Sequence, residues 1–146
     1  MPSAANVTIN DGSATPVAYT FAPIQKDEKG VIWFEQVTPS PTNLLGAYRL
    51  SYKQVRGASQ SDPRLSGVGT CVYALWLPTL ETVGTSDSGI TPPPTVAYRD
   101  VARLAFDLPE RGTSAERKNL RAFAFNLLQN AVAVQNIDNL QTTYGV

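Results

Sequence analysis

Glu35, Asp100, Asp107 and Glu110 are the carboxylates whose positions could let them pair for general acid and base work. Nothing in their spacing makes any two of them converge, and no Gly-rich phosphate loop or metal-ligand spacing accompanies them. The 146-residue chain has no histidine. That absence removes Ser-His-Asp and Cys-His pairs, the usual base at neutral pH and most familiar zinc sites. The expectation is a protein that is not an enzyme, with no catalytic residue, no metal and no cofactor. Cys71 is the single cysteine, which excludes an intrachain disulfide. It falls in an apolar strand-like run and is expected to be a buried, inert thiol.

The second chemistry within reach is anion binding. Lys plus Arg balance Asp plus Glu at twelve each, so only a local patch could attract a polyanion. Between Gly46 and Val55, Arg49, Ser51 and Lys53 alternate with Tyr48, Leu50 and Tyr52. Between Val96 and Leu108, Arg99, Val101, Arg103 and Ala105 alternate with Tyr98, Ala102, Leu104, Phe106 and Leu108. If both runs lie in one sheet, Arg49, Lys53, Arg99 and Arg103 can share a face on which Glu35 is the expected acid. Such a face is either solvated or neutralises phosphates.

These residues must be positioned by strands. Val7, Ile9, Val17, Tyr19 and Phe21 flank Asn10-Asp11-Gly12-Ser13, which predicts an N-terminal hairpin over residues 5–21 with a turn of positive φ. Residues 31–37 form a β-rich run, residues 70–77 another that closes at Pro78, and 79–95 is a long connection holding Pro92-Pro93-Pro94. A loop follows Arg56 and carries Asp62 and Arg64. Thr113-Ser114-Ala115-Glu116 has the spacing of a capping box and opens a helical stretch over 113–140, with a break near Gln129-Asn130. Leu120, Phe123, Ala124, Leu127 and Leu128 form one stripe, while Phe125 lies off it.

The expected fold is a single α+β domain over residues 1–146: the hairpin, an antiparallel sheet over 31–108, and two C-terminal helices on one face. One helix covers only about 10 Å of width against strands about 4.8 Å apart, so either part of the sheet stays bare or a second copy's helix lies across it, and the second is expected. Joining two sheets edge to edge would also remove exposed strand edges. A homodimer with interlocked helices is expected, with Leu120, Phe123, Phe125, Leu127 and Leu128 at its interface; the alternative is that Phe125 packs against a loop of its own chain. The N-terminus lacks signal-peptide character and no run is long enough to span a bilayer, so no membrane partner is expected.

Together, the hairpin, the antiparallel strands, the long loop, the strand Ala97-Tyr98-Arg99-Asp100-Val101, the opening Gly112-Thr113-Ser114-Ala115-Glu116-Arg117 and Ile137-Asp138-Asn139-Leu140 before Tyr144 resemble the coat proteins of single-stranded RNA bacteriophages, the levivirus group. The resemblance implies a virion protein, assembled in the bacterial cytoplasm, whose dimers share one sheet and build an icosahedral shell around single-stranded genomic RNA. It further implies that the sheet face without helices looks at RNA, and that a dimer binds one RNA stem-loop and represses translation. The matching positions are Arg49, Ser51, Lys53, Val72, Ala74, Trp76, Val101 and Arg103, with Arg99 added from the cationic face. Val72, Ala74 and Val101 have no polar group to read a base edge. Trp76 could stack a base or belong to the core. The competing class is a non-viral dimeric β-rich module that binds RNA or protein.

Overall fold

The structure is a computed structural model and describes residues 4–57, 67–82, 84, 89 and 92–142. Asp62, Arg64, part of the 79–95 connection and Tyr144 lie outside the described residues.

Six strands form one antiparallel meander in chain order: β1 (Val7–Asn10), β2 (Ala18–Lys26), β3 (Ile32–Thr38), β4 (Arg49–Val55), β5 (Val68–Leu80) and β6 (Val96–Pro109). Two helices follow, α1 (Ser114–Leu128) and α2 (Ala131–Asp138). The N-terminal hairpin is present, but its connection is not the predicted tight turn of positive φ. Among the described residues the glycines of positive φ are Gly30 and Gly89, and Gly12 is not one of them. The Asp11 carboxylate closes the loop instead, accepting from the backbone N–H of Val17 at 2.8 Å and from the Ser13 hydroxyl at 2.7 Å. An Asx side chain thus does the work expected of backbone torsion.

Two strands run through prolines where shorter strands were expected. Pro23 lies in β2 past Phe21, where the pairing with β1 ends, and Pro78 lies in β5 past Trp76, where the pairing with β4 ends. Each segment has a single strand neighbour there, so the absent N–H interrupts no ladder on the vacated side. Register shifts in the β2–β3 pairing leave Ile24 and Val37 outside the pairing and exposed.

The core gathers on one face of β2, β3 and β4. Phe21, Phe34 and Leu50 are buried there, with Val7, Tyr19, Ile32, Tyr48, Tyr52 and Leu75 packed around them. Tyr19 stacks on Tyr48 and Tyr52 on Tyr73, with ring centroids 5.4 and 4.9 Å apart. Removing the ring of Phe34 would cost about 3–5 kcal/mol.

The capping box at α1 is complete. The Glu116 backbone N–H donates to the Thr113 hydroxyl at 3.2 Å, and the Thr113 backbone N–H donates to the Glu116 carboxylate at 2.7 Å. The break falls at Gln129-Asn130 as expected, because the Asn130 side chain accepts from the backbone N–H of Val132 at 3.0 Å and caps α2. Neither helix buries a residue within its own chain.

Candidate nucleic-acid interface

The strand registers place the cationic residues on the face opposite the core. Antiparallel partners share a face, so rows of side chains can be followed across β3, β4, β5 and β6. Lys53, Val72 and Ala105 make one row; Trp33, Ser51, Ala74 and Arg103 the next; Glu35, Arg49, Trp76 and Val101 the third; Pro78 and Arg99 the last. Successive rows lie about 7 Å apart along the strands. Arg49, Lys53, Arg99 and Arg103 therefore do share one face, one per row, alternating between β4 and β6.

Among the described residues, the strands place two acids on that face, not one. Glu35 accepts from Arg49 Nη2 at 3.0 Å and from Nε at 3.1 Å. Asp107, not expected on this face, pairs with Thr70 one row beyond Lys53 and Ala105 and accepts from the Thr70 hydroxyl at 3.0 Å. The alternation that carries Arg99 and Arg103 to this side carries Asp107 there as well. Arg99 and Arg103 are exposed and have no ion-pair partner among the described residues, whereas Arg49 is already committed to Glu35.

Ser51 is buried, its place in the sheet lying between Trp33 and Ala74. Trp76 is half-buried and belongs to no core cluster; its indole stacks on Trp33, with centroids 5.1 Å apart and planes at 28°. Trp33 was not among the expected site residues. Its partner is contributed from two strands away, and no local pattern announces that. Its indole is also held from the side, donating through Nε1 to Asp27 Oδ2 at 3.3 Å. Val101 is exposed on the same face.

The opposite face holds Cys71, which is half-buried and free, not fully buried as expected. It lines a hollow of about 450 Å3 with Tyr73, Phe106, Leu108 and the first turns of α1. Burial, followed by the neighbouring Cys71, raises the Tyr73 phenol above its usual value. Of the expected interface residues, Phe123 is 73% exposed, Phe125 61% and Leu127 65%, and Leu120 and Leu128 are exposed too. Among the described residues there is no cluster of metal-ligating side chains, and no helix is long and apolar enough to cross a membrane.

A meander of six strands followed by two helices that leave their apolar surface bare, with a cationic face behind it, is the architecture of a protein that completes itself by association. The family model for the levivirus coat protein matches residues 2–144, and the chain belongs to that family. Its fold superposes on a protein solved as the virus-like particle of bacteriophage ESE058, with a TM-score of 0.84, 36% identity, and coverage of 98% of this chain and 100% of that one. The virus-like particle of Beihai levi-like virus 21 gives 0.78 at 22% identity over 99% of this chain and 100% of that one. The capsid protein of bacteriophage GA gives 0.67 at 16% identity over 97% and 98% of the two chains; at such identities the likeness is one of fold. No curated protein sequence matches the chain. The protein is thus a bacteriophage coat protein, a structural component of the virion that assembles into a shell, and not an enzyme.

Proposed function

We propose that the shell is icosahedral, that its building block is a homodimer with interlocked helices, and that the Arg49, Lys53, Arg99 and Arg103 face lines its interior against single-stranded genomic RNA. The observation that carries the dimer is β6. Its fourteen residues end the strand order, leaving one edge without a strand neighbour among the described residues, and its side chains are mostly exposed on both faces. A long edge of this kind is normally paired or covered. Pairing with β6 of a second copy would make one continuous sheet and bring each copy's α1 over the other's Tyr98, Leu104 and Phe106. The bare apolar faces of helix and sheet are complementary in kind, and their association is favoured by area removed from water.

The RNA reading is supported by the co-facial cations on a chain of zero formal net charge. Phosphate neutralisation by Lys and Arg supplies most sequence-independent affinity for nucleic acid. Assembly in the bacterial cytoplasm and repression of translation through one stem-loop per dimer belong to the same proposal, with Lys53 and Arg103 as the residues that meet phosphate. Electron microscopy of the recombinant protein, with the ratio of ultraviolet absorbance at 260 and 280 nm, tests both parts. Closed particles with a nucleic-acid spectrum are expected. A stable dimer that forms no particle would favour a plain RNA- or protein-binding module, and particles devoid of RNA would remove the interior assignment.

A further inference from the structure

On the cationic face, Trp33, Leu44, Leu45, Arg49, Trp76 and Arg99 line a hollow of about 250 Å3. Its floor is the stacked indole pair, which spans β4 from β3 to β5. We propose that the Trp33–Trp76 pair is a stacking platform for an unpaired base of single-stranded RNA, held by its π face and neighbouring phosphate and indifferent to which base it is. This rests on the RNA reading above and deepens it by naming the group bound and the manner of binding.

Packing alone does not account for the pair. The buried cluster of Phe21, Phe34 and Leu50 lies on the other face, and both indoles remain half-buried with the hollow open above them. The platform is fixed from two sides. Asp27 accepts from Trp33 Nε1 at the edge of one ring, and the stack itself closes a face of that ring, the Trp76 centroid lying 5.1 Å from that of Trp33. Pre-ordered aromatic surface binds at low entropic cost. Charge then selects the occupant: Arg49, oriented by Glu35, and Arg99, with no ion-pair partner among the described residues, border the hollow. Aromatic faces bordered by cations suit bases joined by phosphates, and every base offers a π face. Val72, Ala74 and Val101 in the same rows offer no hydrogen-bonding side chain, and the hydrogen-bonding groups that line the hollow, Arg49 and Arg99, are cations suited to phosphate. Stacking without edge recognition is what this combination permits.

The chain has two tryptophans, and both are in this pair, so intrinsic tryptophan emission reports on this site alone. The full chain in its smallest soluble form is titrated with single-stranded oligoadenylate, oligouridylate and oligocytidylate, and with an abasic ribose-phosphate oligomer of equal length. All three base-bearing oligomers should quench the emission, while the abasic one binds with the same salt dependence and leaves it unchanged. Trp33→Leu combined with Trp76→Leu should weaken binding of the base-bearing oligomers about ten-fold or more without altering the salt slope, and Trp76→Phe should retain most of the affinity. RNA binding with unchanged emission, or equal quenching by the abasic oligomer, overturns the platform and leaves the RNA reading standing. Failure of every oligomer to bind overturns the RNA reading itself. Emission that changes on particle assembly without RNA, and not with oligomers, assigns the hollow to Leu44 and Leu45 of a second copy and overturns the platform. The wild-type titration needs no variant to fold.

Discussion

Arg49 donates from Nη2 and from Nε to one oxygen of Glu35, at 3.0 and 3.1 Å. The ion pair crosses from β4 to β3 and occupies one of the four cations on the face assigned to RNA. The Arg49 side chain is 52% exposed and that of Glu35 20%, so solvent screens the pair and its contribution to stability is at most about 1 kcal/mol. Its larger effect is to hold charge back. Glu35→Gln should leave stability within about 1 kcal/mol of wild type, tighten binding to single-stranded RNA, and steepen the salt dependence by about 0.7 for each further phosphate neutralised. Salt-dependent filter binding measures this, and unchanged affinity with an unchanged slope would mean that Arg49 does not face RNA.

Arg103 and Lys53 have no ion-pair partner among the described residues. Replacing both by Ala should lower RNA content in purified particles and flatten the salt slope by about 0.7 for each phosphate left without its cation. Arg49→Ala alone should have the smaller effect, because its guanidinium is already paired. RNA content equal to wild type in the double variant would return this surface to a merely solvated sheet face.

The start of α1 carries a pH dependence. The Glu116 carboxyl is held below its ordinary value of 4.5, chiefly by the Thr113 backbone N–H and then by the Thr113 hydroxyl. A carboxyl whose value is lowered on folding stabilises the folded chain above its unfolded value. That stabilisation is lost as pH falls from about 4.5 through the lower folded value. Helicity followed by circular dichroism should therefore decline as pH falls through that window. Glu116→Gln should remove the dependence, whereas Thr113→Ala, which keeps the backbone donor, should only weaken it and cost about 1 kcal/mol from the missing cap. A decline of the same size in Glu116→Gln would place its origin elsewhere.

Much of this is readable along the chain. Alternation locates β4 and β6 and assigns Arg49, Lys53, Arg99 and Arg103 to one side, because a strand's period of two is local information, while β5 is marked by its apolar run alone. The capping box is legible for the same reason, since it depends on a side chain within three residues of its partner, whereas no Gly or Pro marks the break near Gln129-Asn130 and the Asn130 cap emerges only in the structure. Pro78 misleads about the end of β5, since its tolerance depends on where β4 stops. The hairpin loop misleads as well, because Asp11 closes it with its carboxylate. Trp33 on Trp76 cannot be read at all, as it requires the register of three strands. The family resemblance agrees with the sheet-width argument in giving the bare apolar helices a second copy to cover.

Those helices hold the central claim. Phe125 lies 61% exposed in the single chain, so a carboxylate there costs an isolated protomer little, whereas beneath a partner's sheet it would be a buried, unpaired charge. The mass of Phe125→Glu in solution, measured by sedimentation beside wild type, separates the two cases. The interlocked dimer predicts a folded monomer that forms no particle; dimers and particles indistinguishable from wild type would contradict it.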